Sequence, residues 1–470
     1  MTSNTERSHR SVRREMRQAF SEFLGLPVAI IAAFLVLSTG TYALDSAASG
    51  PTAPFRRFME VHVLGDAAST SELLGTIAGS IITVTSITFS LLLIAVQQAT
   101  SSFSHQVIDQ FLRRRINQVS FGFFVGLALY ALIAVATASD EFKPVYGATI
   151  ALLLTVVALV LLLVLLYTTI AQMRPEEVIG SIHDRIVSSR TSQLQLLAMT
   201  RRASVYAAEP DARRRVFAPV EGYLVDIHAR QVGTLAQDLG DGCEVEFLLP
   251  VGGYMACGDP IAAIAATNED HATQLHEAVL TGVEAQRRRE IQNDPGYGIQ
   301  QLSDIAWTTG STSKQNPSPA LIVVRSLRDL LARWSDERDA APRAEVLPVV
   351  YHDDVPEELF GAFEALIVVS SESMQDQVFA EVMGGFAIAF DRMPAAEQAR
   401  TEETVLRSLA ALGDLVLTRR LETALMALAH TLAAAGRYET AATMTFALAE
   451  LRQSVGKLNS RATRVPGATQ

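Results

Sequence analysis

The chain has 470 residues, of which 49% are hydrophobic and 19% charged, and a mean hydropathy of +0.22. That is too long for one compact core and too apolar for a wholly water-soluble protein, so a membrane part joined to a soluble part is expected. A net charge of −11 argues against a nucleic-acid partner, and the two cysteines, Cys243 and Cys257, make neither a disulfide framework nor a Cys-x-x-Cys metal motif.

Residues 1–25 form a basic segment carrying Arg7, Arg10, Arg13, Arg14 and Arg17. Four apolar runs follow within 26–172: Leu26 to Leu44, Leu73 to Val96, Val119 to Ala138 and Val145 to Ile170. Each is long enough to cross a hydrocarbon core of about 30 Å as a helix, and none shows the alternation of a barrel strand. The first run is longer than the apolar core of a leader peptide and three more follow it, so it reads as a span. Arginine and lysine fall alternately heavy and light in the connections: Arg56 and Arg57 between the first two spans, Arg113 to Arg115 before the third, Lys143 alone before the fourth, and Arg174, Arg185 and Arg190 after it. The positive-inside rule then places both termini in the cytoplasm of a multi-pass protein of a bacterial-type inner membrane.

The second span is the unusual one. Thr76, Ser80, Thr83, Ser86, Ser90, Gln97, Ser101 and Ser104 step by 4, 3, 3, 4, 7, 4 and 3 and so share one face of a helix. Small hydroxyl residues on one face suit close packing on another membrane helix, and Gly122 and Gly126 of the third span are spaced to receive them. The same face also suits the lining of a water-filled path on an oligomer axis. No Asp, Glu, Lys, Arg or His stands inside the four runs as delimited, which argues against an ion-coupled pump. Beyond the span, Phe103, Val107 and Phe111 continue a helical stripe toward Arg113, Arg114 and Arg115, candidate contacts for anionic headgroups.

After a helical connector at 173–212, the texture changes. Residues 213–266 read as a small β unit, with Val245, Phe247 and Leu249 alternating and Gly252-Gly253 and Gly258-Asp259-Pro260 as turns. A helical segment at 267–340 opens with His271 and His276, five apart and so on diverging faces, which argues against a metal pair. Within it, Asp294 is placed to cap a helix whose first residue is Pro295. The basic run Arg287-Arg288-Arg289 reads as a solvated or ion-paired face. Residues 341–460 read as a C-terminal helical domain with a hairpin turn at Ala433-Ala-Ala-Gly-Arg-Tyr438, and 461–470 as a disordered tail.

The stretches from Ala218-Pro-Val-Glu-Gly-Tyr-Leu to Gly258-Asp-Pro-Ile resemble a barrel-sandwich hybrid of the biotinyl/lipoyl type, which implies a carrier lysine; residues 201–270 contain none, leaving a structural or oligomerising module. Over about residues 20–390 the chain resembles a bacterial family of predicted membrane proteins of unknown function. The residues that carry this are Thr85 to Gly126, "PVEGYLVDI" to "GDPIA", and "RRREIQNDPGYGIQQLSDIA" (Arg287 to Ala306). In the loop after that helix the family pattern implies an Asn-Asp pair where this chain has Gln315 and Asn316, so the acid is missing.

The expected fold class is mixed: a four-helix transmembrane region followed by a cytoplasmic α+β region, a small barrel-sandwich-like β module and then helices. No nucleophile elbow, phosphate loop or metal cluster is present, so neither an enzyme nor a cofactor is expected. The expected partners are the lipid bilayer, further copies of the chain and a cytoplasmic protein. Two functions fit: a channel-like homo-oligomer lined by the second span, or a membrane-anchored sensing or interaction scaffold.

Overall fold

A bilayer leaves a long apolar run one way to satisfy its backbone, the helix, and the computed structural model builds the first part of the chain from helices. It describes residues 2–46, 53–102, 115–139, 142–172, 174–205, 213–311, 316–337, 346–415 and 417–453. The stripe at 103–112, Ser104, Arg113, Arg114, the 312–315 loop and the 461–470 tail lie outside the described residues, as do the side chains of the basic N-terminal segment. The chain divides into two compact units, Met1–Arg174 and Pro175–Gln470.

In the first unit, helix α1 runs from Thr2 to Ser46 and α2 from Ala53 to Met59, continued by a π-helical turn at Glu60–Leu64. Then come α3 (Ala67–Ser102), α4 (Arg115–Thr137) and α5 (Val145–Gln172). Among the described residues, four stretches are long and apolar enough to cross a membrane: Leu24–Ser46, Ala67–Leu91, Arg115–Thr137 and Val145–Thr169. Helix α4 is the hub, packed on α1, α3 and α5, with Phe124, Leu127, Tyr130 and Ala131 fully buried. The expected docking of α3 on the glycines of α4 is corrected: α1 takes that place. A Cβ on Gly122 would stand 2.8 Å from the Pro27 Cα, and one on Gly126 would run into the Phe34 ring. Phe34 needs a deep slot, and only a glycine opposite gives one. Helix α5 turns Leu153, Val156, Val160 and Leu163 outward, an apolar surface of the kind acyl chains cover.

In the second unit, α6 (Pro175–Met199) packs on later helices of its own unit. Arg190 locks it there, meeting Asp353 through Nη1 and Nη2 at 2.8 Å each and stacking 5.2 Å from the Trp334 ring. Among the described residues, seven strands follow in two sheets. β1 (Arg213–Phe217), β5 (Pro260–Ala265), β3 (Glu244–Phe247) and β7 (Val349–Val350) lie side by side in that order. β4 (Tyr254–Met255), β2 (Gly222–Ile227) and β6 (Val283–Gln286) form the second. All pairings are antiparallel except β3 with β7. Helices α7 (Ala229–Asp238) and α8 (Glu269–Gly282) close the core, which holds Val216, Leu224, Val232, Phe247, Leu275 and Tyr351. The barrel-sandwich expectation is corrected: the sheets stay open. Two of their strands, β6 and β7, come from outside residues 213–266: the four residues Val283 to Gln286 alternate but directly continue a helical run, and Val349–Val350 is too short to alternate.

The remaining helices are α9 (Pro295–Gly310), α10 (Ser318–Glu337), α11 (Val355–Glu372), α12 (Asp376–Ala389), α13 (Ala395–Ser408), α14 (Arg419–Ala434) and α15 (Tyr438–Gln453). They stack in two layers of alternate helices. α9, α11 and α13 follow one another in one layer, α10, α12 and α14 in the other, and α15 packs on α14. Gly436, at φ +79°, ends α14 in the left-handed conformation, and the Arg437 amide donates back to Leu432 at 2.8 Å, so the expected hairpin turn forms.

Candidate functional site

The polar side of α3 is built by sequence spacing alone. Thr76, Ser80, Thr83, Ser86, Ser90 and Gln97 all lie exposed on the helix, while Leu74, Ile77, Ala78 and Ile81 fill the opposite side against the unit's core. The structure therefore brings these residues onto one open surface that no other described part of the chain covers. Ser101 belongs to the same helix, but its side chain lies outside the described residues, and Arg115, the described member of the arginine trio, is exposed at the start of α4. The hydroxyls satisfy themselves locally: Thr83 donates to the Gly79 carbonyl at 2.9 Å and Ser90 to the Ser86 carbonyl at 3.0 Å. Such back-bonding lowers the cost of keeping hydroxyls at bilayer depth.

Two further features of this surface escape a reading of hydroxyls alone. Gly75 and Gly79 form a Gly-x-x-x-Gly pair on it, and a Cβ at either position would meet nothing within 4 Å. The signal was in plain view in "GTIAG", directly before the polar stripe. Glu72 stands exposed one turn earlier on the same side. Ile87 and Ile94, each more than half exposed, interrupt the stripe, so the face is mixed rather than wholly polar. Among the buried residues of α3, the Thr88 hydroxyl has no partner.

A second constellation ties the ends of the spans. Asp45 is buried at the end of α1 and accepts the Tyr146 amide at 2.9 Å and the Gly147 amide at 3.0 Å, so it caps α5 from another helix. The Tyr130 hydroxyl donates to the Gly147 carbonyl at 3.1 Å. Lys143 pairs with Glu60 at 3.2 Å and also reaches the Gly65 carbonyl. The apolar run ends at Leu44, but the helix carries on through Asp45, whose carboxylate caps α5.

In the second unit, Asp294 caps α9 as expected, accepting the Tyr297 amide at 2.9 Å. Arg289 grips the same carboxylate through Nε at 2.8 Å, lies 4.9 Å over the Tyr297 ring and approaches Glu358 at 3.8 Å. Burial pushes the Glu358 carboxyl above its ordinary value, and Arg289 offsets this only in part. Gly252 (φ +93°) and Gly296 are the close approaches that let this cluster form: a Cβ at either would run into Asp294 or Glu358. The cluster joins a β-turn to α9 and α11. His271 bonds Thr267 at 3.0 Å, and no group of three or more metal-ligating side chains occurs among the described residues.

Residues 21–378 match a family described as Predicted membrane protein (DUF2254). An uncharacterized protein of Mycobacterium bovis and one of Mycobacterium tuberculosis strain H37Rv are each 25% identical over 265 residues, covering 53% of this chain and 50% of the relative. The chain thus spans about half the length of the curated relatives it matches. No solved structure matches.

Proposed function

The chain belongs to the DUF2254 family of predicted membrane proteins, and we propose that its working form is a homo-oligomer in which α3 of each copy faces a shared axis. The observation that carries this reading is the open side of α3, where Gly75, Gly79 and six polar side chains have no cover among the described residues. Facing acyl chains, that side wastes its two glycines and its glutamine. Facing other copies, the glycines allow close helix approach and the hydroxyls and Gln97 meet one another or water. Glu72, repeated around the axis, sets a ring of carboxylates at one mouth and favours cations, while Ile87 and Ile94 form apolar constrictions. The charge pattern of the connections supports a bacterial-type inner membrane with both termini in the cytoplasm.

The test is ion flux through the reconstituted full chain together with its oligomeric state in detergent. Ser90→Leu or Gln97→Leu is expected to change conductance severalfold, and Glu72→Gln to lower the cation-to-anion permeability ratio. A monodisperse monomer that passes no current would overturn the reading.

A second reading, a membrane-anchored scaffold that binds a cytoplasmic partner, is favoured by the layered stacking of α9 to α14. Stacks of helix pairs present long surfaces of the kind repeat proteins use for recognition.

A further inference from the structure

The layer made of α10, α12 and α14 carries a groove of 660 Å³ on its outer side. Its floor is helix backbone with little side chain on it: Gly384 and Gly385 from α12, Ala424 and Ala427 from α14. Two adjacent glycines in mid-helix cost roughly 1 kcal/mol each against alanine. Packing inside the chain does not call for either. A Cβ on Gly384 would meet nothing within 4 Å, and one on Gly385 would lie 3.6 Å from the Arg328 stem, an ordinary contact. The glycines leave room for something that comes close from outside.

The rim says what that is. Arg325 and Arg328 stand on α10, Arg419 and Arg420 on α14, and Glu381 on α12. Glu381 binds Arg325 at 2.9 Å and also binds Arg420. Arg328 and Arg419 have no ion-pair partner among the described residues, in a chain of net charge −11. Arg419 and Arg420 also sit in the first turn of α14, where the helix dipole disfavours cations. Arg420 is held there by Glu381, whereas no ion pair among the described residues accounts for Arg419, which leaves its charge for a ligand. No aromatic side chain lines the groove, so it offers no platform on which a base could stack.

We propose that this groove docks an amphipathic helix of a partner protein, one whose small apolar stripe lies on the Gly384–Gly385 floor while acidic side chains flanking the stripe bind Arg328 and Arg419. This rests on the scaffold reading above and gives it a site and a partner chemistry.

The experiment uses the full chain in detergent and a fluorescein-labelled alanine–leucine peptide of roughly 18 residues, long enough to be helical, with glutamates flanking the stripe. Binding is read by anisotropy. Arg328→Glu and Arg419→Glu are each expected to weaken it at least about tenfold. Gly384→Leu, which has open space for its side chain, fills the floor and is expected to weaken it as much. Arg230→Glu, on α7, is expected to change nothing. Equal affinity of wild type and these groove variants, or equal affinity for a peptide with glutamine in place of glutamate, would overturn the proposal. So would a wild-type chain that ignores the peptide but loses binding to phosphatidylglycerol vesicles on Arg328→Glu. A partner captured equally by wild type and the two arginine variants would overturn the groove and leave the scaffold reading standing.

Discussion

Asp45 shows how much can hang on one side chain at a helix end. Its carboxylate accepts two amides at the start of α5, one buried and one partly buried. Asp45→Ala leaves them unmet and is expected to cost roughly 2 kcal/mol, with Asp45→Asn milder because one acceptor survives. Thermal unfolding of the detergent-solubilised protein, followed by loss of the monodisperse peak, reads this. Glu381 makes a separate, pH-dependent prediction. Burial raises its carboxyl, but the hydrogen bonds and charges of Arg325 and Arg420 outweigh burial and hold it below its ordinary value of 4.5. A carboxylate held low in the folded state adds stability above its unfolded value and loses it as pH falls through the folded one. Glu381→Gln is therefore expected to lower the melting temperature by a few degrees at neutral pH, roughly 1 kcal/mol, with the difference from wild type shrinking as the pH falls through the folded value.

At the scale of elements, the α1–α4 contact is the tightest fit in the membrane unit. A side chain at Gly122 meets backbone at Pro27, which cannot rotate away, so Gly122→Val must push α1 outward. Overpacking of this kind costs about 1–3 kcal/mol, and cross-linking between cysteines placed on α1 and α4 is expected to fall with it. The four membrane helices were legible in the sequence because the bilayer imposes their length and composition locally, run by run. Which helix takes the glycines of α4 was not, since that depends on the shape of Phe34 against its slot rather than on any periodicity. The sheets show the same divide. Val245 and Phe247 announce β3, but its neighbour β7 is two residues contributed from a hundred positions away. The Asp294 cap and the Gly436 turn were legible because each is fixed by a few adjacent residues. The hydroxyl stripe of α3 was equally plain, yet its spacing carried no word of what lies against it.

For the whole molecule, the decisive quantity is copy number. A pore lined by one helix per chain needs several chains, and the open side of α3 is the place where they would meet. Thr83→Cys is expected to give disulfide-linked dimers in membranes under mild oxidation, while a cysteine at Val156 on the outward side of α5 gives far fewer. Equal yields at the two positions would mean that α3 is an ordinary lipid-facing helix.

The hub position of α4 also sets an order of events during synthesis. Helix α1 packs chiefly on α4 and not on α3, the span that follows it. The first two spans to leave the translocon thus have little to hold each other, and Phe34 has no slot until the third arrives. A nascent chain stopped after α3 should be cleared by quality-control proteases, while one stopped after α4 should persist.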